Sequence, residues 1–107
     1  MLGKFDEKQE MSADHKAIET CGPITWELPQ DEGVSITRIN VEFEDAHGRR
    51  CNGHSKDLRF AQGTDHAWMF TMKNNGMAPG PATARGEFVT ENGKVTWEDE
   101  VELVLPD

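Results

Sequence analysis

The residues best suited to chemistry by type and spacing lie in the middle of the chain. His47, Cys51 and His54 form an H-x3-C-x2-H string, and Cys21 offers a fourth soft donor. Zinc accepts such nitrogen and sulfur ligands in a tetrahedral site. No paired C-x2-C motif accompanies the string, and Gly48, Asn52 and Gly53 within it are ordinary turn residues. His66, Met69, Met72 and Met77 offer imidazole and thioether donors of the kind that favour Cu(I). On a strand, however, Met69 and Met72 point to opposite faces, and methionine commonly fills irregular cores. A small zinc- or copper-binding β domain is therefore the alternative function, and the leading expectation assigns no metal and no cofactor.

Covalent catalysis needs a Ser or Cys beside a positioned base. Ser12, Ser35 and Ser55 are the serines, and none stands in a G-x-S-x-G elbow. Cys51 near His47 and His54 is the one Cys/His arrangement. No Gly-rich phosphate loop and no EF-hand spacing occur. The expectation is a protein that is not an enzyme.

Charge is more informative. The net charge is −9 over 107 residues. It divides into −7 for residues 1–45, +4 for 46–85 and −6 for 86–107. An acidic chain is a poor default partner for nucleic acid or an anionic membrane. Two clusters stand out as partner-binding candidates: the acidic run Glu98, Glu100 and Glu102, and the basic pair Arg49 and Arg50, which Lys56 and Arg59 extend. Aromatic residues for stacking on bases are sparse near the basic cluster, with Phe60 and Trp68 the nearest, which disfavours single-stranded nucleic acid.

These side chains must be positioned by a core built from little material. Leu, Ile, Val and Phe make up 20 of the 107 residues, supplemented by three Trp and five Met. One domain is expected, with residues 1–20 as a flexible N-terminal segment and 21–107 as a single β domain. Within 1–20, Ser12 or Asp14 offers a cap for a single helical turn at most. The first residues are charged throughout and lack the apolar run of a secretory signal, so a cytoplasmic setting with reduced Cys21 and Cys51 is expected. An oxidising compartment would instead let the two cysteines pair.

From Pro23 onward the pattern is β. Ile24–Leu28 alternates apolar and polar residues and stops at Pro29, with Asp31-Glu32-Gly33 as a turn. In Val34–Glu44, Val34 and Ile36 share one parity and Ile39, Val41 and Phe43 the other. That switch implies a β-bulge at Thr37-Arg38. A turn at His47-Gly48 sets Asp45 opposite Arg50, and it is preferred over Asn52-Gly53, which opposes Arg49 and Lys56. Leu58–Phe60 reads as a short strand, followed by a turn at Gln62–Asp65. His66–Met72 is apolar on both faces and is expected as a covered, central strand.

The C-terminal quarter predicts a hairpin turning at Asn92-Gly93. Its register pairs Phe88 with Trp97, Ala84 with Val101 and Arg85 with Glu100, and sends Glu98, Glu100 and Glu102 to solvent. Gly86 opposite Asp99 suggests a local bulge. Six or seven short strands with regular turn signals indicate an antiparallel β-sandwich of immunoglobulin-like type, or else a small barrel. The expected function is a non-enzymatic interaction domain (an accessory, inhibitor, immunity or virion-associated factor) that meets a protein partner, a basic one in its specific form, through the acidic strand face.

Overall fold

The computed structural model describes residues 2–25, 35–55, 60–61, 65–91 and 93–106, and among these there is no helix. Nine strands run in chain order: β1 (Leu2–Gly3), β2 (Lys8–Met11), β3 (Ala17–Thr25), β4 (Ser35–Asp45), β5 (Arg50–His54), β6 (Phe60–Ala61), β7 (Asp65–Lys73), β8 (Gly80–Thr90) and β9 (Gly93–Val104). They join one mixed sheet in the order β1-β3-β2-β9-β8-β4-β5, with β7 added on β3 and β6 on β4. The β2–β9 pairing is parallel, and the other pairings are antiparallel. The ends of the sheet approach each other at β5 and β7. A Cβ on Gly53 would lie 2.6 Å from the Cβ of Met72, and the Cys51 thiol donates to Met72 Sδ at 3.7 Å. The result is a nearly closed barrel rather than two separately hydrogen-bonded sheets. Segments 26–34, 56–59 and 62–64 lie outside the described residues. With them lie Trp26–Leu28, the Asp31–Gly33 turn, Leu58-Arg59 and most of the Gln62–Asp65 turn.

Alternation explains which residues face inward. The bulge expected at Thr37-Arg38 is present: Ile36 pairs with Thr90, while Arg38 pairs with Val89. It brings both parities of β4 to one side, so Ile36, Ile39, Val41 and Phe43 are all buried. Across the interior, Phe5 packs on Phe43, Trp68 and Trp97, and Phe88 lies 4.0 Å from Trp97 between ring centroids.

The C-terminal hairpin forms with a register two residues from the expected one. Thr90 pairs with Gly93, Phe88 with Val95, Gly86 with Trp97 and Arg85 with Glu98. A shift of two preserves every side chain's face, so the hydrophobic pattern alone does not choose between the registers. Specific pairs do choose. The observed register sets Arg85 against Glu98 and replaces the like-charge pair Glu87–Glu98 with Glu87–Thr96. It also lays the Trp97 indole over Gly86, where a Cβ would fall 2.2 Å from the ring. No bulge forms there: the β8–β9 ladder runs without a register shift, and Asp99 stands opposite Ala84. Phe88 and Trp97 still touch, as diagonal rather than direct neighbours. The turn therefore does not fall at Asn92-Gly93, because Gly93 is the first residue of β9 and pairs with Thr90; Asn92 lies outside the described residues.

Three further expectations are corrected in whole or in part. Residues 2–20 contribute β1, β2 and the start of β3 where a loose segment or a helical turn was expected, and they bury Phe5, Gln9, Met11 and Ile18. The fully buried Gln9 amide makes this possible by donating to Asp6 O and Cys21 O at 2.7 and 3.1 Å and accepting from Cys21 N at 2.8 Å. The β4–β5 turn contains His47-Gly48, as preferred, and Asn52-Gly53 lies inside β5, but the pairing differs, with Glu44 rather than Asp45 opposite Arg50. The Asp45 carboxylate fixes that turn by accepting from the backbone of His47, Arg49 and Ala78 at 2.9, 2.9 and 3.3 Å. Finally, β7 pairs with β3 alone among the described strands, and Met69 on its outer face is 65% exposed. Its outward Ala67, Met69 and Thr71 tolerate solvent, so the strand needs cover on one side only.

Candidate functional site

The most distinctive chemistry lies on the outer face of β4, β8 and β9. Apart from Asp45 and Asp99, the inward residues on these strands are apolar, so their alternating neighbours share the opposite face. The pairing aligns them in cross-strand rows: Arg38–Val89–Lys94, then Asn40–Glu87–Thr96, then Glu42–Arg85–Glu98, then Glu44–Thr83–Glu100, and finally Pro81–Glu102. β4 and β9 thus place parallel files of carboxylates on either side of β8.

One cation sits between the files. Arg85 reaches Glu42 Oε1 and Glu98 Oε2, both at 3.3 Å, and Glu44 Oε1 at 3.9 Å. Such half-exposed pairs contribute at most about 1 kcal/mol each, so their main effect is to hold the guanidinium in place. Two depressions flank this clamp. One, of about 730 Å³, is bordered by Asn40, Asn52, His54, Glu87 and Thr96. The other, of about 480 Å³, is bordered by Glu7, Glu44, Asp45, Glu100 and Glu102 over a floor that includes Pro81 and Ala82. Among the described residues no Lys, Arg or His borders the second depression, although Lys8 on β2 stands opposite Glu102.

Glu98, Glu100 and Glu102 are all exposed, as the hairpin parity predicts. Arg50 joins the same neighbourhood through Glu44 Oε2 at 2.6 Å, on the β5 side. Arg49 is held elsewhere, donating from Nη1 to Gly76 O at 2.7 Å. Lys56 and Arg59 lie outside the described residues. Sequence reasoning placed Arg85 on this face, though opposite Glu100, and missed Glu42 and Glu44. Their alternation with Val41 and Phe43 was a usable signal, but the rows exist only once β4 lies beside β8.

The metal and nucleophile candidates are not brought together. Cys51 is buried against Met72, whereas His47 and His54 are exposed, in the β4–β5 turn and at the end of β5. Cys21 lies on β3, where its thiol donates to Asp6 Oδ2 at 3.1 Å. Among the described residues no group of three or more His, Cys, Asp or Glu is placed to hold a metal ion. Of the thioethers, Met72 and Met77 are buried and Met69 points outward. Both thiols are held in the protonated form. Burial, then the Asp6 hydrogen bond and charge, pushes Cys21 up to about 12, and burial pushes Cys51 up to about 11. A thiol at either value supplies very little thiolate nucleophile at neutral pH.

Comparison with family models, with curated proteins and with solved structures returned no match for this chain. No described helix is long and apolar enough to cross a membrane.

Proposed function

We propose that this chain is a non-enzymatic interaction domain that docks a basic protein through the outer face of β4, β8 and β9. One observation carries the reading: carboxylates of Glu42, Glu44, Glu98, Glu100 and Glu102 share a sheet face with Arg85 set among them, while Arg38 and Lys94 stand in the row at one end and Arg50 approaches Glu44 from β5. Complementary fields of this kind steer association and set partner choice. The high thiol values and the separation of Cys51 from His47 and His54 support a binding role over a catalytic one. The proposal does not depend on the immunoglobulin-like sandwich suggested by strand count, because such folds do not assign function.

The test is capture of partners from the native source by the wild-type protein and by a Glu98→Lys, Glu100→Lys, Glu102→Lys variant. Calorimetry of the purified pair at rising salt follows. Binding should weaken steeply between about 0.1 M and about 1 M salt, as the Debye length falls from about 10 Å to about 3 Å. A complex insensitive both to salt and to the triple reversal refutes the proposal.

A further inference from the structure

Among the described strands, β5 pairs with β4 alone and β7 with β3 alone, and their free edges face each other. The barrel is therefore closed along this seam by side chains rather than by a hydrogen-bonded ladder. At its middle Gly53 lies against Met72, whose Cβ fills the space that a side chain at position 53 would take, and the Cys51 thiol donates to Met72 Sδ at 3.7 Å. A depression of about 170 Å³ notches the seam, bordered by Arg50, Asn52, Lys73 and Asn75, and it reaches Cys51. Elements that touch only through side chains part more readily than strands inside a ladder, and parting these two extends the notch to Met72. The two sulfurs differ in reactivity there. Burial holds Cys51 as the thiol, whereas a thioether attacks a peroxide without first losing a proton.

We propose that the β5–β7 seam is a redox-sensitive latch, closed while Met72 is a thioether and held open once a peroxide has converted it to the sulfoxide. The step is a two-electron oxygen transfer. The Met72 sulfur takes one oxygen of hydrogen peroxide, an S–O bond forms as the O–O bond breaks, and water leaves. The product is larger and polar, in a seam that Gly53 already fits without slack. Its oxygen needs donors, and the adjacent side chain offers the weak S–H of Cys51. Parting the seam lets water solvate that oxygen and sacrifices side-chain contacts, while the β3–β7 and β4–β5 ladders stay intact. The latch is independent of the docking role argued above.

The test exposes the native full chain to dilute hydrogen peroxide and follows each methionine by peptide-mapping mass spectrometry. Met69, exposed on β7, should oxidise first. Met72 should follow at least about tenfold faster than Met11, which is also buried but lies on β2, a strand paired on both sides. After oxidation, amide exchange should accelerate in β5 and β7 but not in β8 and β9, and Cys51 should become open to iodoacetamide. Methionine sulfoxide reductase should reverse both changes. Met72→Leu, which conserves volume, should show neither change under the same treatment, although its Met69 is still oxidised. Met72 oxidising no faster than Met11 would overturn the latch. So would exchange that accelerates equally in Met72→Leu, or that spreads equally over β8 and β9, since the latter marks loss of the fold rather than a parted seam.

Discussion

Gly86→Ala is the substitution that most directly tests how the two long strands are registered. Gly86 has no left-handed backbone to protect: the positive-φ glycines among the described residues are Gly48, Gly76, Gly80 and Gly93. Alanine is therefore allowed by the backbone, and its lower freedom in the unfolded chain would stabilise the fold by about 0.4–1 kcal/mol. Packing opposes this. The new methyl carbon would fall 2.2–2.4 Å from three atoms of the Trp97 ring. The ring has little room to retreat, stacked on Phe5 at 5.4 Å and held by Phe88 at 4.0 Å between centroids. Overpacking of this kind costs about 1–3 kcal/mol. The net expectation is a loss of about 1–2 kcal/mol, or a fall in Tm of roughly 4–16 °C for a chain of this size.

Urea unfolding followed by far-UV circular dichroism gives the free energies. The decisive comparison is the same substitution in a Trp97→Leu background, where the ring atoms are gone and Gly86→Ala should become neutral or stabilising. The coupling between the two sites should then be about 1–3 kcal/mol, within the range of directly contacting residues. In the register that pairs Phe88 directly with Trp97, Gly86 instead faces Asp99, and no such coupling arises. A Gly86→Ala variant as stable as the wild type, or one equally destabilised with and without Trp97, refutes the packing argument and the register with it.

Two further outcomes follow from groups whose ionisation the fold shifts. Asp45 is held below its ordinary value of 3.8: burial opposes ionisation, but three backbone N–H donors from Arg49, His47 and Ala78 outweigh it. Its stabilising effect is therefore present above that value and is lost as pH falls through the lower folded one. The Tm gap between wild type and Asp45→Asn should accordingly narrow on acidification, and a gap constant with pH would contradict the assignment. Cys21 and Cys51 shift the other way, from 9.0 to about 12 and about 11. Their contribution is complete below about pH 9 and is lost as pH rises towards those values, because the unfolded chain gives up its thiol protons first. In the native protein at pH 8, mass spectrometry should find Cys51 unmodified by iodoacetamide until denaturant is added. Rapid native alkylation of Cys51 would show that its burial is wrong.

What the sequence made legible depended on how far apart the deciding residues are. The bulge at Thr37-Arg38 was readable because five apolar residues in one short run change parity there. The faces of the C-terminal hairpin were readable for the same reason. Its register was not, since a two-residue shift keeps Phe88, Trp97, Val101 and Leu103 inward, and the choice rests on Arg85 meeting Glu98 and on Trp97 covering Gly86. The N-terminal strands were hidden more deeply. β2 pairs with β3 nearby and with β9 some ninety residues on, and Gln9 is buried because Cys21 offers it both a donor and an acceptor. No local periodicity marks such a residue as internal. The outward row Glu98, Glu100 and Glu102 was visible from alternation, whereas its counterpart Glu42 and Glu44 became part of one site only through the β4–β8 ladder.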